Sequence, residues 1–463
     1  MTPSTGAAVD PYRADVPSRP RSLAAAPRRF RAYNPTHLDE LLSRTRLSEE
    51  DRRALRAVAV VFPFRTNSYV VDELIDWSAA PDDPIYRLTF PHADMLPAAD
   101  LRRITGMLAG GAPPTALAAA ARAIRHTLNP HPAGQLTHNT PLLAGRPLPG
   151  IQHKYPETVL FFPSRGQTCH AYCTYCFRWA QFVGEPELKI GAAGSAELRT
   201  YLAAHTEVSD LLVTGGDPMI MSAEMLGRYL DPLLNDPDLE HVTSFRIGTK
   251  SLAFWPQRYV TDRDADDLLR LLERVVTSGR NLAIMAHFSH PRELEPAVVD
   301  DAVRRIRDTG AVIRTQAPLI RTVNDDAATW AAMWRRQVGL GMVPYYLFVE
   351  RDTGPRDHFA VPLASAVRIF NRAYRQVSGL GRTVRGPVMS ATPGKVCVDG
   401  VTDLLGTTMF TLHFIQCRDP TMVNQPFFAE YDPDAVWLTD LRPIPGSESF
   451  LTEWTNPPKP PHP

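Results

Sequence analysis

The sequence predicts an α/β protein built on a partial (β/α)6 barrel, with a helical region before it and a short extension after it. Two observations carry this expectation. From residue 158 onward, short apolar runs alternate with amphipathic stretches in six successive units, the pattern of parallel strands joined by crossover helices. The chemistry-bearing motifs fall just after those runs, at the strand ends where such sheets gather ligands.

The runs are Thr158–Pro163, Asp210–Thr214, Ser244–Thr249, Asn281–His287, Ala311–Gln316 and Pro344–Glu350. Between and after them lie helical patterns at 195–205, 222–235, 263–278, 293–309, 325–338 and 361–377. Upstream, HLDELLSRTRLSEEDRRALRA (37–57) reads as two short helices, and the Ala-rich stretch 95–127 as helix broken at Gly110-Gly111. Residues 129–150 are Pro-rich and read as a linker over the catalytic unit. The expected division is a disordered N-terminus (1–30), a helical region and linker (31–150), the barrel (151–400), and a C-terminal extension and tail (401–463). In the last segment TTMFTLHFIQC has β character, while PPKPPHP is a disordered end.

Bulk composition narrows the function classes. Lys plus Arg and Asp plus Glu both number 50, so no excess charge points to nucleic acid. No run of about 18 apolar residues is present, which predicts no membrane span. The first residues lack the apolar core of a secretory signal, so a cytoplasmic location is expected. Five cysteines, three within eight residues, read as a metal or redox site rather than a disulfide framework.

Those three are Cys169, Cys173 and Cys176 in TCHAYCTYCFR (168–178), just after the first predicted strand. Three thiolates on one loop can each hold one iron of a [4Fe-4S] cubane. The fourth iron is then free to chelate an amine and a carboxylate, and S-adenosylmethionine offers both. Electron transfer into its sulfonium would release a 5′-deoxyadenosyl radical. That chemistry needs an electron donor such as flavodoxin or ferredoxin. A structural zinc site and buried unliganded thiols are the bland readings. Zinc prefers CxxC pairs and a fourth ligand, and the other two cysteines lie more than 200 residues away. The CxxxCxxC spacing, with Tyr175 before the last cysteine, matches the defining motif of the radical SAM superfamily.

Later strand ends add candidates. Gly215, Gly216 and Asp217 leave the second predicted strand in LLVTGGDP. Two glycines let backbone come close to a ligand. One βα unit after the cysteine loop, the segment resembles the one that binds the methionyl amino group in radical SAM enzymes. His287 in MAHFSHP and Gln316 in IRTQAPLIRTVND end the next candidate strands. Each is either a ligand contact or a satisfied polar residue, and Arg246 in FRIGTK is equally two-sided.

Taken together, these segments make the chain similar to the lysine 2,3-aminomutase family of radical SAM enzymes. The likeness covers roughly 145–400. It rests on PLPGIQHKYPETVLFF, CHAYCTYCFR, LLVTGGDP, RIGTK followed by PQR, AHFSHP, RTQAPLIRTVND, VPYYLF followed by DHF, and PGK, in that order. The resemblance implies a cluster, S-adenosylmethionine and pyridoxal 5′-phosphate, and migration of an amino group between adjacent carbons of an amino acid. Pyridoxal phosphate requires a lysine, and Lys395 in SATPGKV stands where the family lysine stands, on what reads as a tight Pro393-Gly394 loop. Arg178 matches the family residue that binds the substrate carboxylate.

The departures bear on substrate. The family places arginines along the segment matching HKYPET to grip the cofactor phosphate; this chain has Lys154 and Thr158. Lysine binds phosphate as a point charge without a bidentate fork. Where lysine-specific members present carboxylates, this chain reads Glu350-Arg351-Asp352 and Val388-Met389-Ser390. An arginine there argues against lysine and suits an anionic or neutral polar small molecule. Cys397 and Cys417 read as buried small hydrophobes. The alternative is a thiol donating hydrogen in a pyridoxal-free epimerase of a sugar or peptide carbon. A non-catalytic iron–sulfur carrier is the third reading, opposed by the GGD segment. The sequence leaves a homo-oligomer open.

Overall fold

The computed structural model describes residues 28–404 and 406–445. Residues 1–27 and the PPKPPHP tail, expected to be disordered, lie outside the described residues.

The N-terminal region packs a helical turn (Leu38–Leu42) with helices α1 (Glu49–Val61), α2 (Ala98–Ala109) and α3 (Pro114–Thr127). Ser48 caps α1 by accepting from the Asp51 amide at 3.1 Å, a capping box that fixes its start. The break expected at Gly110-Gly111 separates α2 from α3. Leu41, Val58 and Val61 belong to the same apolar core as Val159, Leu211 and Ile284 of the sheet.

One sheet of eleven strands organises the rest. In chain order its strands are β1 (Ile151–Tyr155), β2 (Thr158–Phe161), β3 (Asp210–Val213), β4 (Ser244–Thr249), β5 (Asn281–His287), β6 (Val312–Leu319), β7 (Val343–Val349), β8 (Arg385–Ser390), β9 (Gly394–Leu404), β10 (Thr407–Cys417) and β11 (Pro426–Glu430). They pair in that same order across the sheet. From β2 to β8 every pairing is parallel. The strand β1 and the hairpin β9–β10 with β11 are antiparallel.

All six predicted strands are present, and the six helical patterns become α4 (Ala196–Ala203), α5 (Ala223–Leu234), α6 (Ala265–Thr277), α7 (Ala297–Asp308), α8 (Ala327–Gly339) and α9 (Leu363–Tyr374). Their buried stripes explain why. In α6, Leu268, Leu271, Leu272 and Val275 fall at helical spacing and are all buried. Side-chain caps set the starts of α5 (Ser222 to Met225, 3.2 Å) and α8 (Asp326 to Thr329, 2.9 Å). The difference from expectation is β8, a seventh parallel strand reached through α9. Its sequence, RGPVMS, is short and contains proline, so its apolar run is too weak to read.

Candidate functional site

The C-terminal ends of the parallel strands bring the cysteine loop, Gly215–Asp217, His287 and Gln316 to one end of the sheet. The cysteine loop follows β2 and is held by the N-terminal region as well as by the barrel. Tyr172 donates its amide to Arg65 O at 2.8 Å, and Thr174 donates to Leu88 O at 2.9 Å. Asn67 reaches His170 O at 3.1 Å and Phe254 O at 3.0 Å. Burial raises all three thiols, Cys173 to about 11 and Cys176 to about 12. Cys169 is raised further by Asp217, then by Cys176 and Cys173. A sulfur-only donor set held neutral until metal arrives fits an iron–sulfur cluster.

The glycines after β3 pack directly against the cysteine loop. A Cβ on Gly216 would stand 2.5 Å from Thr168 O and 2.6 Å from Thr168 N, and one on Gly215 would meet Gln167 Nε2 at 2.3 Å. They let the cysteine loop itself come close. Asp217, 2% exposed, accepts from Thr249 Oγ1 (2.7 Å), the Lys250 amide (2.9 Å) and the Met219 amide (3.0 Å). Burial lifts its carboxyl to about 6 against those bonds. Asp217 therefore ties the exit of β3 to that of β4, and its oxygens are spent inside the fold.

His287 and Gln316 bond each other across β5 and β6 (Nε2 to Nε2, 2.9 Å). Burial drives the imidazole down to about 3, so it stays neutral. Arg246 pairs with Asp210 through Nε at 2.8 Å, at the start of β3 and away from the cysteine loop. Thr158 also donates to Asp210, at 3.2 Å. Sequence reasoning missed Lys250, which reaches Glu293 at 2.7 Å and Ser289 at 3.2 Å. Ser289 in turn bonds the Tyr175 hydroxyl at 2.9 Å.

Two arginines flank the aromatic residue after the cysteine motif. The guanidinium of Arg178 lies 5.0 Å from the Phe177 ring centre and 4.3 Å from that of Phe162; Arg351 lies 4.7 Å from Phe177. Arg178 Nη1 and Arg351 Nε are buried donors without a hydrogen-bond partner. Burial lowers both, Arg178 to about 9, and Arg351 lowers Arg178 further. Beside them burial pushes Glu350 up to about 8, so it is neutral at pH 7. The loop is anchored to the linker: Asn129 reaches Asp352 O at 2.6 Å and the Gly354 amide reaches Leu128 O at 2.8 Å.

Lys395 corrects the expectation of a tight loop. It is the second residue of β9, opposite Gln416 and Ser390. Gly394 is required there because its Cβ would stand 2.1 Å from Gln416 O. The Lys395 ammonium donates to Gln416 Oε1 at 2.8 Å and lies 5.0 Å and 5.7 Å from the rings of Tyr346 and Tyr155. Burial, then Arg246 and Arg385, bring it down to about 7. Lys154 bonds Ala391 O, within the SATPGKV turn. It is depressed by burial and by Arg418, Arg351 and Lys395. Arg418, also missed, spans Thr392 O at 3.0 Å and His138 O at 3.2 Å. Lys154 and Lys395 place their amines 5.3 Å and 5.7 Å from the Tyr155 ring centre, and Arg351 and Arg418 act on its unpartnered hydroxyl.

The two remaining cysteines point to opposite faces of the hairpin. Cys417 is packed among Leu363, Val367, Met389 and Val396 under α9. Cys397 lies with Tyr346 and Val388 on the Lys395 face.

Comparison with known proteins decides the family. No family model matches the chain. A protein of Aquifex aeolicus (strain VF5) named "Putative L-lysine 2,3-aminomutase" is 30% identical over 395 residues, covering 85% of this chain and 91% of that one. The chain belongs to the lysine 2,3-aminomutase family. Relatives named L-lysine 2,3-aminomutase in Fusobacterium nucleatum and Clostridium subterminale are 25% and 27% identical. They cover 64% and 50% of this chain and 68% and 52% of their own lengths. A solved radical SAM methyltransferase from Sphaerobacter thermophilus aligns at 14% identity and a TM-score of 0.31, over 49% of this chain and 66% of that one. This family member is a radical SAM enzyme, a class that implies a [4Fe-4S] cluster and S-adenosylmethionine. No helix among the described residues is long and apolar enough to cross a membrane.

Proposed function

We propose that the chain is a pyridoxal phosphate-dependent aminomutase acting on an α-amino acid with an acidic or neutral polar side chain. The observation that carries this is Lys395: a half-buried amine between two tyrosine rings, brought down to about 7, so that about half of it is an uncharged nucleophile at pH 7. Arg418, close enough to Lys154 to depress it, supplies the positive charge that a phosphate needs, with Lys154 beside it as a further donor. When bound, the cluster with S-adenosylmethionine supplies a hydrogen-abstracting radical, and pyridoxal phosphate supplies a π-system next to the migrating nitrogen.

The chain's own groups then have distinct tasks. Cys169, Cys173 and Cys176 hold the cluster, and Gly215 and Gly216 seat their loop with Asp217 as its anchor. Neutral His287, fixed by Gln316, lies at the mouth of the same strands without adding charge. Arg178 takes the α-carboxylate, and Arg351 across Phe177 takes a polar or anionic side-chain group. A distal ammonium is unwelcome there, since Glu350 is neutral and Arg351 repels it. An electron donor of flavodoxin or ferredoxin type supplies reducing equivalents.

The competing epimerase needs a thiol offered to substrate. Cys417 lies in the apolar layer under α9, and the Cys397 thiol, raised by burial and then by the neighbouring Asp399 carboxylate, is held protonated beside it. The test is spectroscopic. Protein reconstituted with pyridoxal phosphate should show the absorbance band of lysine-linked pyridoxal, lost in Lys395→Ala. No band in the wild type, together with product formation abolished by Cys397→Ala, would replace this reading with the epimerase.

A further inference from the structure

We propose that Cys397, Asp399 and His413 form a zinc site, separate from the cysteine loop, on the hairpin that carries Lys395. The Sγ, a carboxylate oxygen and an imidazole nitrogen of these residues all lie within 4.8 Å of one another. The backbone explains the convergence. Cys397 stands directly opposite His413 in the β9–β10 register. Asp399, two residues on, falls on the same face of its strand as Cys397. The register shifts between Val398 and Gly400, so Asp399 has no opposed residue and leans on its neighbour. Its Oδ2 is 2.8 Å from His413 Nδ1.

The donor set selects the ion. One thiolate, one imidazole and one carboxylate suit zinc, whereas magnesium and calcium take oxygen ligands. Tetrahedral zinc with bonds of about 2.0 Å to N or O and 2.3 Å to S separates its ligands by about 3.3–3.5 Å, so the Asp399–His413 pair, now 2.8 Å apart, opens slightly while no pair has more than 4.8 Å to close from. On binding, the Cys397 thiol gives its proton to solvent, and thiolate plus carboxylate balance the charge of the ion. Cys397 is buried, His413 half-buried and Asp399 exposed, so the fourth position opens to water. Arg385 is the cation near Cys397; its guanidinium is stacked 4.3 Å from the Tyr346 ring centre.

A second trio, His126, Glu185 and Glu187, lacks these properties. Arg125 already holds Glu185 at 2.6 Å, and Arg122 lies 3.4 Å from Glu187, so its charge is spent. The location of the first trio also has a consequence. Cys397 is two residues from Lys395, and His413 is three from Gln416, the acceptor of the Lys395 ammonium. An ion bridging the strands locks the register that pairs Lys395 with Gln416.

The test uses full-length protein with its cluster reconstituted, incubated with Zn²⁺ alone and freed of excess by gel filtration. About one zinc per chain is expected, with an X-ray absorption shell of one sulfur at about 2.3 Å and the rest N or O at about 2.0 Å. His413→Ala and Asp399→Ala should lose the zinc and keep their iron. Three outcomes overturn the proposal: no zinc retained, a shell of three sulfurs (zinc in the cysteine loop), or undiminished zinc in His413→Ala. The wild-type shell decides the matter even if the variants fail to fold.

Discussion

Replacing Gly216 with alanine attacks the seat of the cysteine loop. The new Cβ would lie 2.5 Å from Thr168 O, 2.6 Å from N and 2.8 Å from C, all backbone atoms of the residue before Cys169. To reach even 3.0 Å, the closest contact must open by 3.0 − 2.5 = 0.5 Å. Metal–ligand distances tolerate only about 0.2 Å, so the cluster should suffer more than the fold. Overpacking of this kind costs about 1–3 kcal/mol, each kcal/mol worth roughly 2–4 °C in Tm for a domain of some 200 residues. Iron and sulfide per chain after anaerobic reconstitution, with a melting curve, measure both effects. Gly216→Ala should bind markedly less iron and melt several degrees lower. Gly215→Ala should also be costly, because Gly215 holds φ +156° and a Cβ there would stand 2.3 Å from Gln167 Nε2 and 3.2 Å from Gly166 O. Gly194→Ala, with nothing within 4 Å, should be silent. A Gly216→Ala protein with full iron content and unchanged Tm would refute the reasoning.

Two other expectations follow from charge. Arg351→Gln removes one half of the arginine pair around Phe177. A lost hydrogen bond to a charged group is worth about 1.5–3 kcal/mol, so the substrate KM should rise roughly 10- to 150-fold while S-adenosylmethionine binding is unchanged; an unaltered KM would remove Arg351 from substrate recognition. Lys395 has its pKa lowered in the folded chain, to about 7 from 10.5. Between those values the unfolded chain binds the extra proton, so stability should rise as pH rises from about 7 to 10. Denaturant midpoints should show that rise in the wild type and less of it in Lys395→Met, and equal slopes would contradict the burial argument.

The strands and helices of the barrel were legible because each carries its own period. The run at 281–287 and the stripe Leu268, Leu271, Leu272, Val275 need no distant partner to be recognised. The strand Arg385–Ser390 escaped because a proline interrupts six residues, and its place is set by neighbours rather than by its own pattern. Lys395 was found by its position after Pro393-Gly394, but its setting was misread. Gly394 serves close contact with Gln416 O, a contact made across a hairpin whose return strand ends 22 residues on. The packing of Gly215 and Gly216 against the cysteine loop is likewise a contact between distant segments. Arg418 and Lys250 carry no local signal at all: one is defined by His138 and Thr392, the other by Glu293. Chemistry written in a short spacing, such as CxxxCxxC, is visible in one dimension. Electrostatics assembled from separate strands is not.

The central claim is amino-group migration on a substrate other than lysine. Anaerobically reconstituted enzyme with reductant, S-adenosylmethionine and pyridoxal phosphate, given each α-amino acid in turn, tests it by NMR detection of the β-amino isomer. The predicted result is isomer from an acidic or neutral polar amino acid, none from lysine, and none from any substrate with Lys395→Ala. Preferred turnover of lysine, or undiminished product from Lys395→Ala, would contradict it.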